Sequence, residues 1–136
     1  MADKTQHATD EAQIRALIEQ WSKAVRDENR VAIRSNHHAD ILMFDVPPPF
    51  LSRGVVAYMA TWETFFATAE KPVSFSFRDV EVTCGKHIAF ATAVGRCVNI
   101  DTNGNREPLE FRLTMGLRKI DDMWQIMHEH HSLPAT

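Results

Sequence analysis

Residues 87–100 read His-Ile-Ala-Phe-Ala-Thr-Ala-Val-Gly-Arg-Cys-Val-Asn-Ile, and this stretch decides the fold. Large and small side chains alternate along it, which is the period of a β-strand with two unlike faces. The larger side chains are Ile88, Phe90, Thr92, Val94, Arg96 and Val98. The other face carries Ala89, Ala91, Ala93, Gly95 and Cys97. Because these residues are small, they leave room beside the sheet.

Two more strands follow, over residues 106–119 and 123–132. Asn103-Gly104 is a strong hairpin signal, and Asp121-Asp122 marks a second turn. If both turns have two residues, Gly95 pairs with Arg112 and Arg112 pairs with His131. The roomy face would then also carry Glu110, Arg112, Thr114, Met127, Glu129 and His131. The opposite face would collect Phe90, Val94, Val98, Phe111, Leu113, Met115, Leu117, Trp124 and Ile126.

Helical patterns precede these strands. Apolar spacing predicts helices over residues 10–27, 30–36 and 55–69, the first capped by Asp10 and the third by Ser52. A strand at 41–46 ends at Pro47-Pro48-Pro49, and another at 73–84 carries a β-bulge at Arg78-Asp79. Helices first and strands after predict an α+β fold, with one curved antiparallel sheet wrapped around helices and a central pocket.

Chain length, net charge and cysteine content limit the classes of function that the protein can have. A chain of 136 residues predicts one domain over 1–136, with residues 1–9 flexible. A net charge of −3 argues against nucleic-acid binding, and no apolar run reaches the roughly 20 residues of a membrane span. Cys84 and Cys97 make no disulfide framework, and the polar N-terminus lacks a signal segment. We therefore expect a cytoplasmic protein.

The element order resembles that of the nuclear transport factor 2-like superfamily, and the stretch from Trp124 to Pro134 is similar to the calcium/calmodulin-dependent kinase association domain within it. That superfamily includes ketosteroid isomerases, SnoaL-like polyketide cyclases and the association domain of calcium/calmodulin-dependent kinases. The segment His37 to Asp45, followed by Gly54, is similar to the isomerase pattern. The resemblance implies a cystatin-like roll, shaped as a cone around its pocket.

The resemblance also implies site residues. Asp45 falls where the isomerases carry a proton-shuttling aspartate, and Trp21 falls where they carry an oxyanion-hole tyrosine. His37 and Trp62 fall on two further pocket tyrosines, and Thr114 lies near the second oxyanion acid. Comparison with the association domain places Arg112 and His131 at or near cationic positions of its pocket.

The residues themselves support parts of this picture. Asp45 over an apolar floor suits a general base, although a carboxylate before a proline run also caps turns. The planar guanidinium of Arg112 is suited to bind an anionic or carbonyl oxygen of a ligand. Alternatively, it forms a structural ion pair with Glu110 or Glu129. Trp21, Trp62 and Phe66 fit either a pocket wall or plain core.

Two histidines raise a separate possibility. His128 and His130 share a strand face at a spacing found among metal ligands, with His37 or His38 as a third ligand. Because two histidines do not complete a site, we predict no metal and interpret this pair as an interface or core feature.

The sequence therefore predicts a cofactor-free isomerase, cyclase or hydratase that moves a proton on a carbonyl-type small molecule. Asp45 and His37 would be catalytic, and the ligand would contact Trp21, Trp62, Phe66, Arg112, Thr114, Glu129 and His131. The alternative is a non-catalytic binding or association module of the same fold. The broad apolar outer face predicts a homodimer through it.

Overall fold

The computed structural model describes residues 2–135, with side chains from residue 4 onward. Three helices precede most of the sheet: α1 (Ala2–Arg26), α2 (Arg30–Ser35) and α3 (Val55–Thr68). Six strands follow or interleave: β1 (His37–Phe44), β2 (Ser52–Arg53), β3 (Phe75–Cys84), β4 (Ile88–Ile100), β5 (Arg106–Ile120) and β6 (Met123–Ser132). Helices on one side of one sheet confirm the predicted α+β class.

Helix α1 buries the predicted apolar stripe, which is made of Ile14, Leu17, Ile18, Trp21 and Val25. The helix begins at Ala2, however, so the cap predicted at Asp10 is wrong. Asp10 lies inside the helix and is fully buried, where its Oδ1 accepts a hydrogen bond from Trp124 and pairs with Lys119. A cap on α3 from Ser52 is also wrong, because Gly54 occupies the cap position and Ser52 belongs to β2.

The strands form one sheet in the order β2-β1-β6-β5-β4-β3. All neighbours are antiparallel except β1 and β6, which run parallel. A β-bulge interrupts β3 between Arg78 and Glu81, as predicted, and Asp79 there adopts a φ of 56°. Because a bulge bends its strand, this one helps curve the sheet around α1, which packs on β3, while α3 packs on β1.

The predicted register between β4 and β5 is wrong by one residue. Gly95 pairs with Phe111 rather than with Arg112. The connection is a five-residue loop, residues 101–105, and not a two-residue turn. The carboxylate of Asp101 holds this loop by accepting backbone N–H groups from Asn103 and Asn105, each at 2.8 Å. A one-residue slip turns every side chain of β5 to the other face.

A second irregularity returns the end of β6 to its predicted face of the sheet. The turn at Asp121-Asp122 has two residues, as predicted, with Ile120 paired to Met123. A bulge at Met127 then shifts the pairing, so that Leu113 faces His131 and Met115 faces Glu129. The two shifts offset each other, and Glu129 and His131 lie on the inner face with Ala93 and Gly95.

The same register determines which side chains lie on the outer face of the sheet. Arg112 and Thr114 point outward and are exposed, so their predicted placement in the pocket is wrong. Arg112 instead donates a hydrogen bond to the Ser132 hydroxyl on the outer face. The apolar residues of β5, with Trp124 and Ile126, are buried on the inner face. Of the apolar residues predicted for the outer face, those of β5 and β6 are therefore buried inside, while Phe90 and Val94 of β4 remain outside. The homodimer stays a prediction.

Among the residues described, no helix has the length and apolar character needed to cross a membrane.

Candidate functional site

A cavity of about 590 Å³ lies between α3, the inner face of the sheet and the segment from Asp45 to Leu51. Its walls are mainly apolar and aromatic, with Trp62, Phe65, Phe75 and Phe111 among them. Gly95 makes room for this wall, because a β-carbon there would lie 2.2 Å from the ring of Phe111. A mostly apolar pocket with a few polar groups is typical of small-molecule sites.

Asp45 stands in the cavity wall directly after β1 ends at Phe44. Its Oδ1 accepts the backbone N–H of Val46 at 2.8 Å, and this contact fixes the carboxylate. Among the described residues, its Oδ2 has no hydrogen-bond partner. The structure therefore leaves one carboxylate oxygen of Asp45 free beside the cavity.

His131 also lines the cavity and lies between two carboxylates. Its Nδ1 is 3.3 Å from Oδ1 of Asp45, and its Nε2 donates to Oε1 of Glu129 at 3.0 Å. Strand pairing explains this arrangement, because parallel β1 and β6 place Phe44 beside His130 and hence Asp45 beside His131.

Behind His131 the polar chain continues into the core. Glu129 is fully buried, and its Oε2 lies 2.5 Å from Nε2 of His37 and accepts a hydrogen bond from the Tyr58 hydroxyl at 2.9 Å. The Nδ1 of His37 donates to the carbonyl of Ile33 at 2.6 Å. Asp45, His131, Glu129, His37 and Tyr58 thus form one continuous polar chain, which we call the relay.

Charges in the relay stabilise one another. Burial alone would raise the pKa of Glu129, but the imidazoles of His37 and His131 lower it to about 2. Burial alone would lower the pKa of His131, but Asp45 and Glu129 raise it to about 9. Burial, with the Glu129 charge, raises the pKa of Tyr58 well above its ordinary value. At neutral pH His131 is a cation and Glu129 an anion.

The structure brings only some predicted site residues to the cavity. Asp45, His131 and Trp62 line it. His37 and Glu129 lie behind the wall in the relay, so they reach the cavity only through His131. Trp21 is buried against the rings of His37 and His131, and Phe66 is buried on α3 beneath the guanidinium of Arg30. The ligand-binding roles of these residues stay predictions.

Three residues that the sequence did not single out as site residues belong to the site. Tyr58 completes the relay, while Arg53 and Asn99 line the cavity. Among the described residues, neither the buried amide oxygen of Asn99 nor the buried indole nitrogen of Trp62 has a hydrogen-bond partner. Tyr58 lies four residues before Trp62, so helical spacing was a signal for it. Arg53 and Asn99 carried no comparable signal.

The histidine pair does not gather further ligands. The rings of His128 and His130 lie 6.4 Å apart, and both pack edge-on against Phe44. His37 is instead engaged in the relay. Within the described part of the chain, no three His, Cys, Asp or Glu side chains form a group that could hold a metal ion.

Known proteins share this architecture. A family model described as a SnoaL-like domain matches residues 14–136. An NTF2-like protein of unknown function from Pseudomonas putida KT2440 is similar at 32% identity and a TM-score of 0.84, covering 95% of this chain and 89% of that chain. No curated protein matches the chain.

More distant structures share the fold alone. An NTF2-like protein with a cystatin-like fold from Novosphingobium aromaticivorans is 16% identical, with a TM-score of 0.82 over 96% of this chain and 85% of that one. A candidate calcium/calmodulin-dependent protein kinase II association domain from Xanthomonas campestris is 18% identical, with a TM-score of 0.74 over 90% and 87%.

The curved sheet and its three helices define a protein of the nuclear transport factor 2-like superfamily. Within that superfamily, the chain belongs to the SnoaL-like family, whose members include ligand-binding and isomerase- or cyclase-type proteins.

Proposed function

We propose that this protein is a cofactor-free isomerase, cyclase or hydratase that moves a proton on a carbonyl-type small molecule bound in the cavity. Asp45 is the general base in this proposal. The observation that carries it is the free Oδ2 of Asp45, held at an apolar cavity by Val46 and His131. A positioned carboxylate of this kind removes a proton from carbon most effectively where water is scarce.

The proton step is balanced within the site. Oδ2 of Asp45 takes a proton from the carbon next to the substrate carbonyl, and the C–H electron pair moves into an enolate. In an isomerisation, the protonated Asp45 then returns that proton to another carbon of the same molecule. In a ring closure, the enolate carbon bonds to a second carbonyl carbon of the molecule, and the proton goes to the alkoxide oxygen formed there. In a hydratase-type reaction, the enolate expels a β-hydroxyl group, which takes the proton and leaves as water. None of the three consumes an oxidant or a reductant.

The relay positions the base and balances its charge. While Asp45 is an anion, it faces the cation of His131, and Glu129 keeps that cation protonated. When Asp45 gains a proton, the pair becomes a single positive charge beside a new enolate. That charge favours the enolate, because the interaction strengthens as the reaction proceeds. The amide N–H groups of Asn99, which lines the cavity, are the candidate donors for orienting the substrate oxygen.

The experiment that tests this proposal follows hydrogen exchange at carbon. A panel of bicyclic and tricyclic ketones is incubated with the protein in deuterated water, and deuterium uptake beside the carbonyl is measured by NMR. We expect at least one ketone to exchange with the wild type, and Asp45→Asn to slow that exchange by about a hundredfold or more. Undiminished exchange with the variant would remove Asp45 from its role.

The second candidate is a ligand-binding module without catalysis. The hydrogen bond from Val46 to Asp45 favours it, because a carboxylate that caps its own turn also has a structural reason to be there. In that case ketones bind in the cavity, yet neither the wild type nor Asp45→Asn exchanges them. Binding without exchange across the whole panel would decide for this module.

A further inference from the structure

We infer that the ligand of this cavity carries one anionic group, a carboxylate or its equivalent, which binds Arg53. The inference rests on the proposed function, because it names a feature of the substrate of that same site. It begins from the charges that line the cavity. Among the described residues, Arg53 is the one Arg or Lys in the wall.

Arg53 is also unengaged. Most other arginines with described side chains pair with a carboxylate: Arg30 with Glu63, Arg78 with Glu110, and Arg106 with Glu70. Arg53 makes neither an ion pair nor a side-chain hydrogen bond to any described residue. Its exposed side chain leaves the edge strand β2 on the same face as Leu42, at the rim of the cavity. Its planar fork of N–H donors is therefore free to bind both oxygens of a carboxylate.

The other cation of the cavity does not compete for this role. His131 is held between Asp45 and Glu129, so both of its N–H groups face carboxylates of the protein. Asp45 adds a negative charge that would repel an anionic group placed next to it. Charge therefore directs the anionic end of a ligand away from Asp45 and toward Arg53.

The shape of the cavity separates these two ends. Arg53 pairs with Leu42 across β1, and Asp45 lies three residues further along the same strand direction. At about 3.3 Å per residue, the two sites are offset by about 10 Å along the strand. Helix α3 lines the cavity from Ala57 to Thr68, a wall about 16 Å long at 1.5 Å per residue. An elongated apolar molecule with its reactive carbonyl distant from its acid group fits both ends.

Small residues of α3 keep the path along this wall open. Ala57, Ala60 and Thr61 line the cavity on the turns that follow Arg53. A larger side chain at Ala60 would narrow the passage without entering the core, because Ala60 is exposed to the cavity opening. This position therefore supplies a control that blocks the cavity and spares the fold.

The test uses two fluorescent probes that differ by one charge. Anilinonaphthalene sulfonate is anionic, and N-phenyl-naphthylamine has the same rings without the sulfonate. Both are titrated against the wild type, Arg53→Met, the outer-face control Arg112→Met, and the blocked variant Ala60→Phe. We expect Arg53→Met to weaken binding of the anionic probe about fivefold or more, with the neutral probe and the Arg112→Met variant unchanged.

Two results would overturn the inference, and they differ from each other. If Arg53→Met binds the anionic probe as tightly as the wild type while Ala60→Phe blocks both probes, the cavity binds ligands but Arg53 does not select them. If Ala60→Phe leaves both probes bound, ligands do not occupy this cavity, and the proposed function fails together with the inference.

Discussion

Asp45 and His131 meet in the wall of the cavity, with Oδ1 of one 3.3 Å from Nδ1 of the other. The two residues are 86 positions apart in the sequence, and the parallel pairing of β1 with β6 brings them together. Asp45 and Glu129, on either side of the ring, raise the pKa of His131 to about 9. The behaviour of this pair with pH, and after substitution of its neighbours, follows from these contacts.

Stability should fall on the alkaline side because His131 loses its proton there. Its pKa is raised from 6.5 to about 9, so the folded state binds the proton more tightly than the unfolded state. The added stability is full below pH 6.5 and is lost as pH rises through about 9, a change on the order of 3 kcal/mol. Urea unfolding between pH 6 and 10 measures it.

The variant that isolates this effect is His131→Gln. In this variant the free energy of unfolding should fall less steeply as pH rises from 6 to 10. His130→Gln is the matched control, because His130 is exposed on the outer face next in sequence. An unchanged alkaline slope in His131→Gln would mean that another group titrates in this range.

Stability should also fall on the acid side, through Glu129. Its pKa is lowered from 4.5 to about 2, so its contribution is present above pH 4.5 and is lost as pH falls toward 2. A maximum between these two windows is expected. Thermal unfolding across pH 2 to 6 checks the acid limb, and a melting temperature that stays constant over that range would contradict the ion pairing assigned to Glu129.

Glu129→Gln should lower the pKa of His131, because it replaces one of the two carboxylates that hold the cation. NMR titration of the His131 ring measures this shift directly, and the pKa should move down toward its ordinary range. Removing one partner from a buried charged group also costs about 3–5 kcal/mol in urea unfolding. Glu110→Gln, on the exposed outer face, should leave the His131 pKa in place. A His131 pKa unchanged by Glu129→Gln would contradict the relay.

Gly95→Ala should disturb the cavity through Phe111. A β-carbon at residue 95 would lie 2.2 Å from the Phe111 ring, so the ring must move into the cavity or the strands must separate. We expect a loss of about 1–3 kcal/mol and weaker binding of neutral aromatic probes. Gly116→Ala is the control, since its β-carbon would meet His128 at 3.6 Å, an ordinary contact. Equal stability of the two variants would contradict this packing.

Most of the fold was predictable, because the spacing of apolar residues along the chain is a good indicator of secondary structure. The alternation along β4 predicted its two faces, and helical spacing predicted the stripe of α1 that the structure buries. The start of α1 was not predictable in this way, because Asp10 followed by Gln13 mimics a helix cap. The structure uses Asp10 inside the helix to bind Trp124, a contact across 114 residues of sequence.

The face of β5 was mispredicted for a local reason. Asn103-Gly104 resembles a two-residue turn, but Asp101 accepts backbone N–H groups from both sides of it and sets a five-residue loop. The alternation of Phe111, Leu113, Met115 and Leu117 was the stronger signal, because such a row belongs on the covered side of a sheet. Following that row would have placed Arg112 and Thr114 outside.

The polar site was only partly predictable. Asp45 and His131 were found through the family resemblance, and both line the cavity. The relay behind them was not visible, because the roles of Tyr58 and Glu129 depend on contacts across 71 residues of sequence. Arg53 had no pattern of its own, since a two-residue edge strand leaves no period to detect.

The proposed function requires that a planar carbonyl compound bind in the cavity with its oxygen-bearing ring at the Asp45–His131 pair. A crystal structure with naphthol, a planar mimic of an enolate, tests it most directly. We expect naphthol between Trp62 and Phe111, with its oxygen within hydrogen-bonding distance of Asp45, His131 or Asn99. Naphthol bound on the outer face near Arg112, or a cavity left without it at saturating concentration, would contradict the proposed function.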